Sequence, residues 1–354
     1  MIDKNLLKKL CLAFGPSGNE DEVRDMIMDE IKGFATECHT DKTGNLIVFK
    51  KGESTSPKKR VFCAHMDEVG FMITSAGDDG YFKFKPLGGI ESTVVLGKQA
   101  LVGEKRLPAI FGGKPVHLIK KEDREKACSI EDIYLDTGVI KKESKKGKKS
   151  EKEGKNEKKA EKAAAVGDFA VFGSDFLEFG ENKIKCKAID DRFGCFALIE
   201  MIKSDLARDA WFVFATCEEI GLRGAKTAAN TLKAEVAVIF EATTAGDIFD
   251  KKEQNKICSL GGGAVISVMD NTAIYDKTLV ELALETAKKH GIKAQIKQAV
   301  AGGNESGAYQ RAGGGAGVLA ISLPTRYIHS PSCVADLGDM EACMNLALEI
   351  EKSI

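Results

Sequence analysis

Residues that could bind a metal ion or transfer a proton follow short apolar segments of this sequence. His65 and Asp67 come directly after Val61–Ala64. On an extended chain the two side chains face the same side, and a histidine that binds metal usually needs a carboxylate or carbonyl to orient its ring. An ordinary polar turn after a strand is the alternative, and the spacing alone does not decide between them.

Two pairs of adjacent acids give a second signal. Asp190 and Asp191 lie between a predicted strand and a predicted helix, and Glu218 and Glu219 follow the apolar segment Ala210–Ala215. Because neighbouring side chains diverge, one acid of such a pair can ligate a metal while the other takes a proton from water. Acids at these places also cap a helix and interact favourably with its dipole. Both interpretations stay open for each pair.

Glu241 and His329 are the remaining candidates. Glu241 directly follows the apolar segment Val236–Phe240, and His329 lies in Arg326–Pro331, after the predicted strand Val318–Ser322. The alternative for Glu241 is a solvated acid at a strand end. The alternative for His329 is a histidine whose hydrogen bonds are satisfied within a polar loop.

Together, these segments contribute two histidines and at least four acids, mostly at the strand ends of one predicted α/β layer. Strand ends are where open α/β sheets bind ligands. Imidazole and carboxylate groups without thiolates suit Zn²⁺, Co²⁺ or Mn²⁺. A bridging acid with ligands on either side is typical of two-metal hydrolases, so metal-assisted hydrolysis is the predicted chemistry.

The elements that must position these residues are apolar strands alternating with helices. Apolar spacing of three and four residues predicts helices over Lys4–Phe14, Glu20–Phe34, Phe193–Ile202, Ala225–Leu232, Lys277–His290 and Asp339–Lys352. Apolar β-type runs predict strands over Leu46–Phe49, Val61–Ala64, Ala210–Ala215, Val236–Phe240, Ala264–Val268 and Val318–Ser322. Continuous apolar strands between helices predict an α/β sheet covered on both faces.

The segment from Phe71 to Ile140 has a different pattern, rich in glycine and short β-type runs. It contains no long amphipathic helix, which favours a small, mostly β domain. We therefore predict an α/β domain from residues 1–70 and 166–354 and an inserted β-rich domain from residues 71–165.

Residues 141–162, within the insertion, contain eleven lysines, five glutamates and no large apolar side chain. Such a segment buries too little surface to offset the entropy of ordering it. A solvated loop or charged helix is favoured over a basic arm for RNA or membranes, because no aromatic residue or arginine is interleaved for stacking.

Composition excludes several classes of function. The 354 residues include 52 basic and 53 acidic side chains, a net charge of −1 that gives no case for nucleic-acid binding. No apolar run approaches the roughly 18 residues of a membrane span. The ten cysteines are scattered and form no CxxC pair, and the first residues do not resemble a secretory signal. A cytoplasmic protein without membrane or nucleic-acid partners is predicted.

The order and spacing of four motifs resemble peptidase family M42, the tetrahedral and glutamyl aminopeptidase group of metallo-aminopeptidases. The motifs are AHMDEVGFMI (64–73), KAIDDRFGC (187–195), ATCEEIGLRGAK (215–226) and LPTRYIHSP (323–331). The resemblance extends over nearly the whole chain. It implies a zinc-peptidase-like fold, with a mixed sheet, helices on both faces and an inserted β-barrel-like domain.

The resemblance also implies a role for each candidate. The implied metal ligands are His65, Asp190, Glu219, Glu241 and His329. Asp190 would bridge two ions, one shared with His65 and Glu241 and the other with Glu219 and His329. Asp67 would orient His65, and Glu218 would be the general base.

Three features depart from the family pattern. Glu241 stands where members often have Asp, which keeps the carboxylate and changes its reach. Gly302-Gly303-Asn304-Glu305-Ser306 replaces the common Gly-Gly-Thr-Asp-Ala sequence. The charged run 141–162 lies where members usually have a shorter acidic link.

The resemblance implies a two-metal aminopeptidase that hydrolyses N-terminal residues from short peptides, with zinc or cobalt, or else manganese, as the divalent ion. It also implies a homo-oligomer, up to a dodecamer that encloses a chamber. Two alternatives are kept. One is a glycoside hydrolase of the endoglucanase type, for which paired acids also serve. The other is a non-catalytic peptide-binding or assembly protein.

Overall fold

The computed structural model describes residues 2–77, 80–123, 126–138, 164–248 and 256–354. The chain forms two compact units, one comprising Met1–Val69 and Ser174–Ile354 and the other Gly70–Gly173. The Lys/Glu-rich segment 141–162 lies outside the described residues, so its predicted conformation stays a prediction.

The helices and strands of the described residues are numbered in chain order. The helices are α1 (Lys4–Leu12), α2 (Asp21–Ile31), α3 (Ile189–Lys203), α4 (Arg223–Leu232), α5 (Lys277–His290), α6 (Ser306–Arg311) and α7 (Leu337–Glu351). The strands up to the middle of the chain are β1 (Glu37–Thr40), β2 (Leu46–Lys50), β3 (Arg60–His65), β4 (Gly70–Ala76), β5 (Tyr81–Leu87), β6 (Gln99–Val102), β7 (Leu107–Gly112), β8 (Tyr134–Asp136) and β9 (Phe169–Phe172). The later strands are β10 (Leu177–Phe179), β11 (Lys183–Cys186), β12 (Ala210–Ala215), β13 (Val236–Thr244), β14 (Ala264–Ile266), β15 (Ala294–Ile296), β16 (Gly317–Thr325) and β17 (Cys333–Asp336).

The first unit is built on an eight-stranded mixed sheet with the strand order β1-β2-β12-β3-β13-β16-β14-β15. Its four central strands, β12, β3, β13 and β16, are mutually parallel. Ala215 of β12 pairs with His65 of β3, so these two strands end at the same level. Side chains that follow parallel strands therefore meet at one edge of the sheet.

Helices cover this sheet on both faces, as predicted. Helix α3 packs against β3 and β13 and contacts α1, α2 and α7. Helices α4 and α6 contact each other, and they lie on β12 and on β13 and β16, respectively. Strand β13 is buried along its length except at Thr244, which is typical of a strand covered on both sides. The predicted α/β class with a mixed sheet is confirmed.

Several elements differ from the sequence prediction. Strand β13 continues to Thr244 and β16 to Thr325, so Glu241 lies within a strand and not after one. Strand β1 was not predicted, because its four residues are all exposed and carry no apolar pattern. It exists through antiparallel pairing with β2. The strand Ala210–Ala215 and the helix Lys277–His290 have the predicted bounds.

The second unit is a closed antiparallel barrel with the strand order β4-β5-β8-β7-β6-β9, which confirms the predicted inserted barrel-like domain. Four aromatic rings pack together in its core, those of Phe71, Phe84, Phe111 and Phe172. The centroid of the Phe71 ring lies 4.7 Å from that of Phe111 and 5.1 Å from that of Phe172. Closure leaves this sheet without an exposed edge strand.

Across the described residues, no helix combines the length and the apolar character that crossing a membrane requires.

A buried ion pair connects the first residue of β3 to the end of α7. Arg60 Nη2 donates to Glu351 Oε2 at 2.9 Å, and both side chains are almost completely buried. Arg60 Nε also donates to the Asp209 carbonyl oxygen at 2.8 Å. Because a buried charge that loses its partner is destabilising, this pair is a sensitive point of the fold.

We expect Glu351→Gln to lower the free energy of unfolding by about 3 kcal/mol, since Arg60 would keep its charge without an anionic partner. Urea denaturation measures this loss. Glu349→Gln, on the same helix, removes the partly exposed partner of Lys352 and should cost less than about 0.5 kcal/mol. Equal losses in the two variants would contradict the role given to the buried pair.

Candidate metal centre

The sequence candidates meet at the carboxyl ends of the parallel strands. His65 is the last residue of β3, and Glu241 lies in β13 beside it in the sheet. Glu218 and Glu219 follow β12, and His329 follows β16. Asp190 lies at the start of α3, where Asp190 and Asp191 depart from helical dihedral angles. We call His65, Asp190, Glu219, Glu241 and His329 the candidate metal centre.

Asp190 stands between the two histidines. Its Oδ1 atom lies 3.3 Å from Nε2 of His65, and its Oδ2 atom lies 3.4 Å from Nε2 of His329. On one side Nε2 of His65 also lies 3.7 Å from Oε1 of Glu241. On the other side Nε2 of His329 lies 3.3 Å from Oε2 of Glu219. The structure thus groups five candidates into two half-sites that share one carboxylate.

Asp67 contacts both His65 and the backbone of the Glu218–Glu219 turn. Its Oδ1 atom lies 3.4 Å from Nδ1 of His65 and accepts the Glu218 backbone N–H at 2.9 Å. Its Oδ2 atom accepts the Glu219 backbone N–H at 3.1 Å and the Ser17 hydroxyl at 2.6 Å. A proton on Nδ1 of His65, which also lies 3.1 Å from the Asp67 backbone carbonyl oxygen, leaves the Nε2 lone pair directed at the half-site. Asp67 therefore connects His65 to the turn that carries both glutamates.

Charged side chains that the sequence analysis did not select hold the segment around Asp190. Lys187 Nζ donates to both carboxylate oxygens of Glu68, at 2.6 and 2.8 Å, and both side chains are buried. Arg192 Nε donates to the Met66 carbonyl oxygen at 2.7 Å. Asp190 lies between Lys187 and Arg192 in sequence, so these bonds attach its segment to the residues that follow His65.

Burial and mutual repulsion shape the protonation of the acids. Burial and, to a smaller extent, the Asp190 charge raise the pKa of Glu219 to about 8, against the opposing effect of His329. Burial likewise raises the pKa of Glu241. Burial alone would also raise the pKa of Asp190, but its contacts with His329 and His65 hold it well below the usual range. Asp190 is therefore the carboxylate of the centre that stays ionised most firmly.

The donor set fits divalent metal ions. Within the described part of the chain, Oε1 of Glu219 and Oδ2 of Asp191 are buried without a hydrogen-bond partner. Such oxygens are unfavourable in a folded protein unless a cation or another donor binds them. One ligand atom from each of His65, Asp190 and Glu219 falls within 4.8 Å of the others. Imidazole and carboxylate ligands at this spacing suit zinc, cobalt or manganese.

Sequence reasoning missed Ser17 and left Glu305 as a departure from the family pattern. Ser17 carries no pattern of its own, since its role depends on a partner 50 residues away. Glu305 is completely buried, and its carboxylate lies near those of Glu218 and Glu241. The sequence feature that could have indicated Glu305 is its position as an acid directly after Gly302-Gly303-Asn304.

Comparison with known proteins finds similar chains over nearly the whole length of this one. The profile of the family described as M42 glutamyl aminopeptidase matches residues 44–346. A putative aminopeptidase of Acetivibrio thermocellus is 34% identical over 98% of this chain and 97% of its own length. The lysyl aminopeptidase of Pyrococcus furiosus is 30% identical over 98% of this chain and 96% of its own length.

A solved structure shows the same fold. It is that of the Pyrococcus horikoshii TET1 peptidase, which is described as able to assemble into a tetrahedron or a large octahedral shell. The two chains share 32% identity, the TM-score is 0.82, and the match covers 99% of each.

We expect Zn²⁺ or Co²⁺ to raise the melting temperature of protein freed of metal by a chelator. At an ion concentration 100 times the dissociation constant, the free energy of unfolding should increase by about 2.7 kcal/mol. Asp190→Asn should lose most of this gain, because it removes the carboxylate charge that both histidines face. Differential scanning calorimetry measures both.

Asp276→Asn is the control for this measurement. Asp276 caps α5 by accepting the Thr278 and Leu279 backbone N–H groups. The variant should have a lower melting temperature than wild type with and without metal. Its increase in stability on adding metal should equal that of wild type. An undiminished gain in Asp190→Asn would show that the ions bind elsewhere.

Proposed function

This chain belongs to the M42 family of peptidases, and on that premise we propose that its candidate metal centre holds two divalent ions that serve the removal of N-terminal residues from short peptides. The predicted activity of a metal-dependent aminopeptidase is confirmed by the family and its named relatives. Glycoside hydrolysis and a purely non-catalytic role are not favoured. The observation that carries the two-ion proposal is the placing of one Asp190 oxygen against each histidine.

We assign the ligands by half-site. His65, Asp190 and Glu241 would hold one ion, and Asp190, Glu219 and His329 the other. Zinc or cobalt is proposed, with manganese as a third candidate. Bound ions of this kind polarise a scissile carbonyl and lower the pKa of an attacking water. Both histidines can present a neutral Nε2 lone pair, which such ions require.

Glu218 is proposed as the general base. Its backbone is fixed by the bond from its N–H to Asp67, and its side chain is only partly buried, unlike that of Glu241. The Glu218 carboxylate would take the proton of the attacking water and return it to the leaving amine. Asp67 would act through His65 and the Glu218–Glu219 turn, as a positioning residue.

The barrel of residues 70–173 is proposed as an assembly domain and the remaining residues as the catalytic domain. The assembly of the TET1 peptidase supports a homo-oligomer for this chain, with a dodecamer as the proposed size. A cytoplasmic location is proposed as well. All ten cysteines lie in the described part of the chain and are free thiols.

Glu218→Gln should lower kcat by about 10²–10⁴-fold, because the amide cannot accept the proton. Metal binding should stay at the wild-type level, since the assigned ligands remain. Stopped-flow or steady-state hydrolysis measures kcat, and isothermal titration with Co²⁺ measures binding. Glu285→Gln, exposed on α5, is the matched control and should leave both unchanged. Near-normal turnover in Glu218→Gln would remove this residue from the reaction.

The function itself is tested with a panel of aminoacyl-p-nitroanilides and short peptides. The full-length protein is chelated and then reloaded with Zn²⁺, Co²⁺ or Mn²⁺. Cleavage that disappears on chelation and returns with metal is expected, and the panel then gives the preferred N-terminal residue. No hydrolysis of any substrate in the panel by the metal-loaded protein would contradict the proposed function. Hydrolysis of a β-glucan that continues after the metal is removed would contradict it as well.

A further inference from the structure

We propose that Glu305 is a further ligand of the metal centre, on the side of Glu218 and Glu241. The proposal rests on the two-metal function given above. It adds a carboxylate to the half-site of His65, Asp190 and Glu241, beyond the five residues of the candidate metal centre.

The first observation is an orphaned buried charge. The Glu305 side chain is completely buried. Neither of its carboxylate oxygens has a hydrogen-bond partner among the described residues. Buried carboxylates in folded proteins are almost always hydrogen-bonded, paired or bound to a metal. The ionised Glu305 carboxylate therefore needs a cation, and no described side chain donates a hydrogen bond to it.

The second observation is the position of its neighbours. One carboxylate oxygen from each of Glu218, Glu241 and Glu305 lies within 4.8 Å of the other two. Oxygens that bind one zinc or cobalt ion at about 2.0–2.2 Å stand roughly 3–4.4 Å apart. Glu241 and Glu305 thus have nearly the separation that a shared ion imposes, and the proposed general base Glu218 lies beside them. Without a cation between them, their ionised forms repel one another.

The surrounding loop gives Glu305 a defined place. Asn304 Nδ2 donates to the Tyr275 hydroxyl at 3.1 Å, and Asn304 Oδ1 accepts the Ser306 backbone N–H at 2.9 Å. The Tyr275 hydroxyl in turn donates to Asp270 at 2.6 Å. These bonds fix the residues on both sides of Glu305. A carboxylate held this way is preorganised to bind an ion.

Burial also decides what kind of cation Glu305 can meet. Both of its oxygens are closed off from the surface, while Glu218 remains partly exposed. The amino group of a peptide would have to enter this closed space together with the residue that carries it to reach them. A single metal ion is much smaller and fits between the oxygens of Glu241 and Glu305, which lie within 4.8 Å of each other. The geometry therefore favours a metal ion over direct contact with substrate.

The test compares three variants of the full-length protein with wild type. Glu305→Gln removes the charge, and Glu305→Asp keeps the charge but withdraws it by one methylene. Asp339→Asn is the matched control, because Asp339 is a buried carboxylate whose oxygens accept the backbone N–H groups of Gly261 and Gly263. Isothermal titration of the chelated proteins with Co²⁺ gives the number and affinity of bound ions. Calorimetry gives the melting temperature with and without Co²⁺.

We expect wild type to bind two ions. In Glu305→Gln one of the two affinities should fall by about 10–100-fold, with a smaller loss in Glu305→Asp. Chelated Glu305→Gln should melt above the chelated wild type, because one of three repelling charges is gone, and its gain on adding Co²⁺ should shrink. Asp339→Asn should have a lower melting temperature than wild type both with and without Co²⁺. It should bind two ions with wild-type affinity.

Two results would overturn the proposal. Wild-type affinity for both ions in Glu305→Gln would show that Glu305 is no ligand. Wild-type affinity in Glu305→Asp alongside weak binding in Glu305→Gln would show that its charge matters and direct ligation does not. If wild type itself bound fewer than two ions, the two-metal function would fail, and this outcome is distinct from both.

Discussion

The crowding of buried carboxylates at one edge of the sheet is the constraint on which the rest of this structure depends. The acids gathered there are Asp67, Asp190, Asp191, Glu218, Glu219, Glu241 and Glu305. Two unit charges 4 Å apart repel by about 4 kcal/mol at an effective dielectric constant of 20. Two imidazoles cannot neutralise seven ionised carboxylates, so the fold must hold the acids together until cations or protons bind.

Hydrogen bonds and ion pairs from the surrounding protein hold these acids in place. Asp67 accepts hydrogen bonds from two backbone N–H groups and from Ser17, so its own charge is satisfied away from the centre. Lys187 and Arg192 lie on the two flanks of Asp190, and both contact Glu68. The two cations bind this acid and the carbonyl oxygens of Ala13 and Met66. The open side of the centre is thus left acidic, which favours divalent ions.

The predictions from sequence were accurate where local pattern and burial agree. Helix α5 has an apolar face at helical spacing and is followed by Gly291, whose positive φ suits glycine, and its bounds were predicted to the residue. Strand β1 was missed, because its polar residues pair only with β2. Strand β13 was predicted too short. Glu241 breaks the apolar pattern, and the burial that keeps it within the sheet comes from neighbouring strands.

The sequence by itself determined which chemical groups are available: two histidines and a set of acids beside apolar strands, in an order that identifies the family. Such patterns report on neighbours a few residues away, through side-chain periodicity and turn chemistry. Only the tertiary structure decided which oxygen of Asp190 faces which histidine, that Ser17 supports Asp67, and that Glu305 lies beside Glu218 and Glu241. These contacts join segments far apart in the chain, such as His65 and Asp190 across 125 residues. They depend on the order and register of the strands between them, which no local pattern encodes.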